Sequence, residues 1–402
     1  MQGWMADLRR VAIYGGSFIG PLAGNAVLAL VPILKSEYHA TGPQVLLSIT
    51  FFMLPFAVSM LFTGTLSDIH GRRKVLTLGY IIYALGGFCT AFSPDLSTFY
   101  MSRALQGFGF AFVSPVLVAL LGDIVDPKEI GRAMGLLGAA TTAGIALGPF
   151  MAGFISQVDW RLTFITISIL SLFMNVLYLV AFKGHLEVKK DRKGTGAFAT
   201  LMKEALGERK VITLSLAGFM TFLCYMSTLA FMSDVLSLPP LSLAEDLIGI
   251  AIASAGIAGI FMAPVGGWLV DNLGRLKAAI IGFVIMMVAF LVLTRADSFP
   301  TYSASLALLG CGSSVVWASL LTLTVEVMPR SRGTVSSIFN SSRFLGYAVA
   351  PVLFGPVYVS LGMDSIQMIG VFIATLALIA TWLTVRAISP RVVGRPNPPG
   401  PR

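Results

Sequence analysis

Residues 64–74 read GTLSDIHGRRK, and residues 267–277, about half a chain later, read GWLVDNLGRLK. Both stretches follow the pattern G-x-L-x-D-x-x-G-R-x-K, and each lies where one long apolar run ends and the next begins. A charged turn that recurs at the same place in two apolar halves indicates a membrane protein made of two repeats. This construction is typical of bundles whose halves rock around a central site.

The composition also indicates a chain embedded in lipid. The 402 residues are 56% hydrophobic and 12% charged, whereas soluble domains carry about 25% charged residues. Charged residues are absent from long runs such as 11–34, 133–158 and 211–233. A helix needs about 20 apolar residues to cross a bilayer, so each of these runs is long enough. Because lipid offers the backbone no hydrogen-bond partners, the runs are predicted to be helices.

We predict an all-α membrane protein with twelve transmembrane helices in two pseudo-symmetric six-helix bundles. The predicted spans lie at about residues 10–35, 44–67, 74–94, 98–123, 133–157, 161–182, 211–235, 246–270, 277–296, 300–325, 334–360 and 364–387. The N-terminal bundle covers residues 1–182 and the C-terminal bundle residues 211–387. The linker at 183–210 is predicted to end in an amphipathic surface helix, and residues 388–402 to be a disordered tail.

Basic residues divide unevenly between the two ends of the predicted spans. Most lie at the end that carries both termini, while the opposite end has only Lys35, Arg161 and Arg295. By the positive-inside rule, both termini, the linker and the tail are cytoplasmic. The net charge of +9 is then a topology signal spread over separate turns, and it does not favour nucleic-acid binding. We expect a multi-pass protein of a bacterial or archaeal cell membrane.

The repeat extends beyond the turns. An offset of 203 residues relates Gly107 to Gly310 and Asp123 to Glu326, and an offset of 202 relates Gly144 to Gly346 further on. A nearly constant register through four spans indicates parallel halves related by a pseudo-two-fold axis along the membrane normal.

With these motifs the chain resembles transporters of the major facilitator superfamily over nearly its whole length. Residues 64–74 match that family's signature between spans two and three. The R-x-x-Q-G-x-G signature of span four is carried by Arg103, Gln106, Gly107 and Gly109. The resemblance implies the superfamily's fold and transport by alternating access.

A third signature, G-x8-G-x3-G-P-x2-G-G in span five, marks the antiporter branch of that family. Its positions here are Gly135, Gly144, Gly148, Pro149 and Gly153, with Ala152 in place of the first terminal glycine. The resemblance therefore implies a drug/proton antiporter. Glycines leave helix surface free for close contact, and proline can kink a helix. We predict a packing seam against the opposite half, with ordinary helix packing as the alternative.

The repeated turns are predicted to act as conformational clasps. In the family's fold Asp68 faces the start of span eleven near Ser336, where free backbone N–H groups would hold a carboxylate. Asp271 would do the same at the start of span five, and both contacts would stabilise an outward-facing state. The alternative is a solvated turn that only carries topogenic charge. The predicted clasp residues are Gly64, Asp68, Gly71, Arg72, Arg73, Gly267, Asp271, Gly274 and Arg275.

Arg103 is a charge inside a predicted span. A charged side chain at the bilayer centre costs at least about 2.5 kcal/mol, so it normally faces a cavity or a partner. The resemblance gives it a role in proton transfer and substrate response, with Gln106 one turn away. The alternative is an arginine that snorkels to the membrane interface. The repeat places Leu306 at the corresponding position.

Other polar residues are candidates for the cavity, although each could instead bond a neighbouring helix backbone. They are Asn25, Asn175, Tyr225, Asn340 and Arg343. Every Asp and Glu lies at a span end or in a loop, and Asp68, Asp123 and Asp234 are the most embedded. We expect proton coupling through Asp68 or Asp123 with Arg103, and a uniporter is the alternative.

The leading hypothesis is a proton-coupled exporter of small amphipathic or hydrophobic compounds, of the multidrug efflux type. Alternatives are a transporter of one metabolite, such as a sugar, an amino acid or a metal chelator, and a transport-dead receptor. No nucleophile motif or phosphate-binding glycine loop occurs, so neither an enzyme nor ATP use is indicated. We expect no cofactor and no metal. The expected partners are a small-molecule substrate, protons and the lipid bilayer, and we expect a monomer.

Overall fold

The computed structural model describes residues 2–126, 129–183 and 195–387, and all regular elements in these ranges are helices. Spans one to three are Gln2–Glu37, Gly42–His70 and Arg72–Ala91. Span four consists of Leu96–Ala111 and Ser114–Ile124. Spans five to ten are Ile130–Ile155, Arg161–Ala181, Arg209–Ser237, Glu245–Leu273, Arg275–Leu293 and Phe299–Val327. The linker contains the helix Thr195–Gly207, and the turn Pro329–Ser331 precedes a last helix, Arg332–Ala387.

The last helix supplies two spans. Gly362 lies at φ 76° and ψ −178°, so the helix is broken there. Before the break, Ser342 bonds Ser215, and Tyr358 bonds Asp234 near the end of span seven. After it, Gln367 bonds Thr228, so the chain has turned back along span seven. Residues 332–361 and 363–387 are therefore antiparallel spans eleven and twelve.

Eleven helices in the described ranges are long and apolar enough to cross a membrane, counting Arg332–Ala387 once. With its break, the prediction of an all-α protein with twelve spans is confirmed. The predicted span at 98–123 corresponds to Leu96–Ile124, within which the helix is interrupted at residues 112–113, a feature that was not predicted. Pro115 has no N–H for the carbonyl of Ala111, and the hydroxyl of Thr63 donates to that carbonyl instead, at 2.7 Å.

The two repeated turns have the same backbone geometry. Gly71 separates spans two and three at φ 90°, and Gly274 separates spans eight and nine at φ 86°. These values lie in the left-handed region, which only glycine enters without steric cost. The second glycine of the repeated motif therefore makes a one-residue turn between two helices in each half.

Backbone packing follows the repeat as well. A Cβ atom added to Gly107 would meet the carbonyl oxygen of Phe52, and one added to Gly310 would meet that of Ala255. The offset of 203 residues relates Gly107 to Gly310 and also relates Phe52 to Ala255. The pattern found in the sequence is thus a repeat of helix contacts and not only of residue types.

The halves meet away from the termini. We call the end at which span one begins and span twelve ends the termini face, and the other end the opposite face. Toward the opposite face, a Cβ atom on Gly153 of span five would meet the carbonyl of Glu245 in span eight. In the related seam of spans two and eleven, the Thr50 hydroxyl donates to the Ala348 carbonyl at 2.6 Å.

The termini face has open space beside several glycines of the motifs and their neighbours. Four glycines there, Gly64, Gly135, Gly267 and Gly333, have nothing within 4 Å of the position a Cβ atom would take. The linker helix Thr195–Gly207 packs beside this face through Ala205, against Val211 and Val335. Its position on a membrane surface remains a prediction, and the predicted tail at 388–402 lies outside the described residues.

Candidate functional site

A small cavity of about 30 Å³ lies between the two halves. Its walls come from spans one, two, four, five and eleven, and most of the wall is aromatic or aliphatic. The lining residues are Gly20, Pro21, Asn25, Phe52, Met53, Phe56, Phe110, Ser114, Thr141, Ile145, Phe344 and Tyr347. A wall of this character suits ring-bearing or aliphatic groups and offers few polar groups to fix them, although the space in this conformation is smaller than such a compound.

Arg103 is fully buried behind the cavity wall formed by spans one and two. Its Nη2 donates to the carbonyls of Ala23 and Gly24 at 3.1 and 3.4 Å, and its Nη1 donates to Gln106 Oε1 at 2.5 Å. The guanidinium carbon lies 4.4 Å from the ring centre of Phe52, which lines the cavity. The side chain therefore does not snorkel to the interface, and it joins span four to span one.

Gln106 fits beside Arg103 because span three carries glycines at the contact. A Cβ atom on Gly86 would meet the backbone of Gln106, and one on Gly87 would lie 2.9 Å from its Nε2. Sequence reasoning did not identify these two glycines or the carbonyls of span one as parts of the Arg103 site. The only signal was a pair of adjacent glycines in span three.

Arg343 is a second buried cation, in the C-terminal half, and is 7% exposed. Its guanidinium carbon lies 4.6 and 4.7 Å from the ring centres of Phe222 and Phe344, and 5.4 Å from that of Trp317. It also bonds the hydroxyl of Tyr347. Its neighbours in the described part of the chain are aromatic rings, so the cation is held mainly by cation–π contacts.

The remaining candidates are placed differently from one another. Tyr225 packs against Tyr347, with ring centres 6.2 Å apart, and so belongs to the Arg343 cluster. Asn25 lines the cavity, and its Nδ2 donates to the carbonyl of Pro21 at 2.9 Å. Asn340 bonds Ser336 within its own helix, and Asn175 is buried in span six, outside the residues that line the cavity.

The repeated turns each contain an ion pair at the termini face. Arg72 Nη1 lies 2.5 Å from Asp123 Oδ2, and Arg275 Nη2 lies 2.7 Å from Glu326 Oε1, again 203 residues on. Each pair ties the turn of its own half to the end of span four or span ten. Asp68 adds a longer contact to Arg72, at 3.6 Å.

The predicted clasp contacts are not made in this conformation. The side chain of Asp68 is 60% exposed, and its ion pair among the described residues is with Arg72, not with span eleven. Arg73 and Asp271 are exposed. The turns therefore bind within their own halves here, and the contact between halves remains a prediction for another conformation.

The seam of span five has two sides. Cβ atoms on Gly144 and Gly148 would meet the carbonyls of Phe18 and Leu22 in span one, which belongs to the same half. The prediction was that the seam glycines contact the opposite half, but Gly144 and Gly148 contact span one of their own half. Gly135 has nothing within 4 Å of the position its Cβ atom would take.

The other side of span five does contact the opposite half. A Cβ atom on Gly153 would meet the Glu245 carbonyl, and one on Gly249 of span eight would meet the carbonyl of Pro149. Glycines on both helices therefore let spans five and eight approach backbone to backbone. This is the part of the seam that closes the cavity toward the opposite face.

One cluster that the sequence analysis left out of its candidate site joins the halves at the opposite face. Lys35 Nζ of span one lies 2.6 Å from Asp234 Oδ1 of span seven, and the hydroxyl of Tyr358 in span eleven donates to Asp234 Oδ2 at 2.9 Å. We call Lys35, Asp234 and Tyr358 the opposite-face lock. The available signal was that Lys35 and Asp234 lie near the ends of the first and seventh apolar runs, which are counterparts in the repeat.

The lock is tightly packed. Asp234 is buried, and a Cβ atom added to Gly42, at the start of span two, would lie 2.6 Å from its carboxyl carbon. Spans one, two, seven and eleven therefore converge on one carboxylate. Among residues 2–126, 129–183 and 195–387, no three His, Cys, Asp or Glu side chains converge as metal ligands would.

Comparison with known proteins gives a consistent family. The profile of the Major Facilitator Superfamily matches residues 13–244 and 214–401. The chain is 24% identical to the bacillibactin exporter of Bacillus subtilis over 93% of this chain and 95% of that protein. It is 22% identical to multidrug resistance protein 2 of the same organism, over 86% and 87% of the two chains.

Among solved structures, the fold is similar to a bacterial homologue of the human lysosomal transporter Spinster. That structure is described as inward-facing and unoccupied. The TM-score is 0.76 at 14% identity, over 98% of this chain and 99% of the other. At this identity the likeness supports the fold alone.

Proposed function

The chain belongs to the major facilitator superfamily, and on this premise we propose that it is a proton-coupled exporter of small amphipathic or hydrophobic compounds. Membership makes it an integral membrane transporter of small molecules. The direction of transport, the coupling ion and the class of cargo are the parts that we propose. Relatives that are named as an exporter and as a multidrug resistance protein support the direction.

The distribution of contacts between the halves along the membrane normal is the observation that supports alternating access best. The opposite face is held by the lock and by the seams of spans five and eight and of spans two and eleven. At the termini face the motif glycines Gly64 and Gly267 have open space around them. With both termini in the cytoplasm, this conformation would be inward-facing.

The charges at the two faces suggest how the states exchange. Opening the opposite face separates Lys35 from Asp234, so the lock stabilises the present state. Closing the termini face would bring Asp68, now exposed, toward the start of span eleven, where a helix N-terminus favours a carboxylate. The clasps would then replace the lock as the contact between the halves.

We place proton coupling at the cluster of Asp68, Arg72 and Asp123. Asp123 lies 37% exposed at the end of span four, paired with Arg72. Protonation of a carboxylate removes its attraction to a guanidinium, and so would free Arg72 to change partners as the termini face closes. A uniporter would lack this dependence on protons.

The test is transport by the full-length protein in proteoliposomes with an imposed pH gradient. The probes are amphipathic dyes of positive, negative and zero charge, and a protonophore collapses the gradient as the control. We expect accumulation that requires the gradient. Accumulation that ignores the gradient would support the uniporter, accumulation of a single metabolite would support the narrow transporter, and no transport at all would support a receptor.

A further inference from the structure

Three rings that line the cavity carry an arginine guanidinium over them. Phe52 has Arg103 at 4.4 Å from its ring centre, and Phe344 and Tyr347 have Arg343 at 4.7 and 6.0 Å. Neither arginine is itself among the lining residues, so each charge lies one side chain behind the wall. One charge comes from each half, and the cavity lies between them.

Neither arginine has a carboxylate partner. The ion pairs among residues 2–126, 129–183 and 195–387 lie near span ends, and none of them includes Arg103 or Arg343. The Nε atoms of both are buried and have no hydrogen-bond acceptor in the described part of the chain. Backbone carbonyls, one amide oxygen and one tyrosine hydroxyl complete their contacts. The two positive charges are therefore not neutralised within the protein.

Uncompensated charges in an apolar interior act at longer range than they would in water. The local dielectric response is weak, and counterions are excluded. A ring that already has a cation over its face has its quadrupole engaged, so it is a poor host for a second cation. The wall of this cavity should therefore repel cations and attract negative charge, although its surface is mostly hydrocarbon.

We propose that the cavity selects organic anions, meaning amphipathic compounds that combine an aromatic or aliphatic body with one acidic group, and that it discriminates against lipophilic cations. The inference rests on the proposed transport function and names its substrate class. The apolar wall takes the body of the cargo, and the two buried guanidinium groups supply the charge preference. Among the lining residues, the amide of Asn25 and the hydroxyl of Ser114 are groups that can donate a hydrogen bond to the acidic end.

Arg343 is the arginine whose charge can be removed without breaking hydrogen bonds between spans. The repeat places Thr141, which lines the cavity, at its position in the N-terminal half. Unlike Arg103, Arg343 makes no hydrogen bond to the backbone of a neighbouring span within the described part of the chain. Its cage of Phe222, Trp317 and Phe344 suits an apolar side chain of the same length. Replacing a buried charge by a well-packed apolar group is often neutral or stabilising.

The test uses two probe ions of the same shape and opposite charge, tetraphenylborate and tetraphenylphosphonium. Binding of each radiolabelled ion to full-length protein in proteoliposomes is measured against protein-free vesicles of the same lipid. We expect tetraphenylborate to bind about tenfold more tightly to the protein, and Arg343→Met to remove most of this preference, because one of two nearby charges is lost. Arg343→Lys, which retains the charge, should keep the preference.

Two binding results would overturn the inference. One is wild-type protein that binds the cation as tightly as the anion, a measurement that needs no variant. The other is folded Arg343→Met with an undiminished anion preference. Binding requires neither a gradient nor turnover, so a failure of proton-driven export would leave this inference standing. Gradient-driven export of cations alone would overturn the inference and leave the proposed function intact.

Discussion

The two halves of the molecule repeat their backbone contacts but not their buried charges. Gly107 against Phe52 and Gly310 against Ala255 are the same helix contact made twice. Arg103 has Leu306 as its counterpart, and Arg343 has Thr141. What is repeated builds two similar bundles that can rock against each other. The halves differ in chemistry at the positions that are not repeated. The two arginines at such positions, Arg103 and Arg343, both lie beside the cavity.

The termini face also combines contacts that both halves make with one contact that only the N-terminal half makes. Both turns place an arginine against an acid at the end of the fourth helix of the half, as Arg72–Asp123 and as Arg275–Glu326. The N-terminal turn adds Asp68 to its arginine, at 3.6 Å. Repeated pairs are expected to hold structure, whereas the additional carboxylate gives the N-terminal cluster a second arrangement.

The largest expected effect is on the repeated backbone contact. Gly107→Ala and Gly310→Ala each place a methyl group on a carbonyl of the neighbouring helix, and overpacking of this kind costs about 1–3 kcal/mol or more. We expect both variants to lose most of the monodisperse peak in fluorescence-detected size-exclusion chromatography. Gly135→Ala, which meets nothing within 4 Å, is the matched control. If only one of the two variants kept its monodisperse peak, the two backbone contacts would not be structurally equivalent.

The next effect concerns a charge that only one half has. Arg103→Leu installs the residue found at its counterpart, and it removes the bonds to Ala23, Gly24 and Gln106. Because bonds from a charged donor contribute roughly 1.5–3 kcal/mol each, we expect transport per folded molecule to fall about 100-fold. The measurement is the initial rate in proteoliposomes.

A substitution at the counterpart position, Leu306→Met, is the control for Arg103→Leu, since Leu306 is a buried apolar residue without such bonds. Arg103→Lys should rescue little, because an ammonium cannot reproduce the fork of the guanidinium. Full activity in Arg103→Leu would show that the asymmetry at this position has no role in transport.

A smaller shift is expected at the opposite-face lock. Asp234→Asn removes the ion pair with Lys35, and a pair of intermediate burial contributes about 1–2 kcal/mol. The ratio of open to closed opposite faces should rise about 5- to 30-fold. Spin labels at Ser97 and Asp297, exposed residues of the two halves beside this face, would report a longer distance between them.

Glu37→Gln is the control for the lock, because Glu37 pairs with Arg161 at the same face but within one half. It should leave the distance distribution unchanged. An unchanged distribution in Asp234→Asn would mean that the glycine seams alone hold this face closed.

The sequence predicted the fold well because the repeat and the apolar runs are set by local chemistry. The left-handed turns at Gly71 and Gly274 and the number of spans follow from residue type and spacing. The break in span four was missed although Pro115 was visible, because its effect depends on the hydroxyl of Thr63 in another helix.

The site was less predictable because its contacts join distant parts of the chain. Arg103 and Gln106 could be paired from their spacing, but the carbonyls of Ala23 and Gly24 are about 80 residues away from Arg103. The bond between Lys35 and Asp234 spans 199 residues. The cage around Arg343 required three helices to converge. None of these partners has a signature in its own segment.

The smallest expected effect separates the two termini-face ion pairs. Asp123→Asn makes permanent the neutral form that a proton would create, so Arg72 keeps only Asp68 as a carboxylate partner. If this cluster couples protons to transport, the variant should behave at every pH as the wild type does in acid. The transport rate would then vary less than about threefold between roughly pH 5.5 and 8.

Glu326→Gln makes the same change in the other half, where Arg275 loses the partner that the structure gives it. Because this partly exposed pair has no second carboxylate to exchange with in the described residues, we expect a loss of at most about 1 kcal/mol of stability and an unchanged pH profile. The two pairs occupy equivalent positions in the repeat, so a difference in their pH response would point to the additional contact of Asp68. If the transport rates of Asp123→Asn and Glu326→Gln depended on pH equally weakly, the proton response would belong to the repeated ion pairs and not to Asp68. The two halves would then be equivalent in proton coupling as well as in packing.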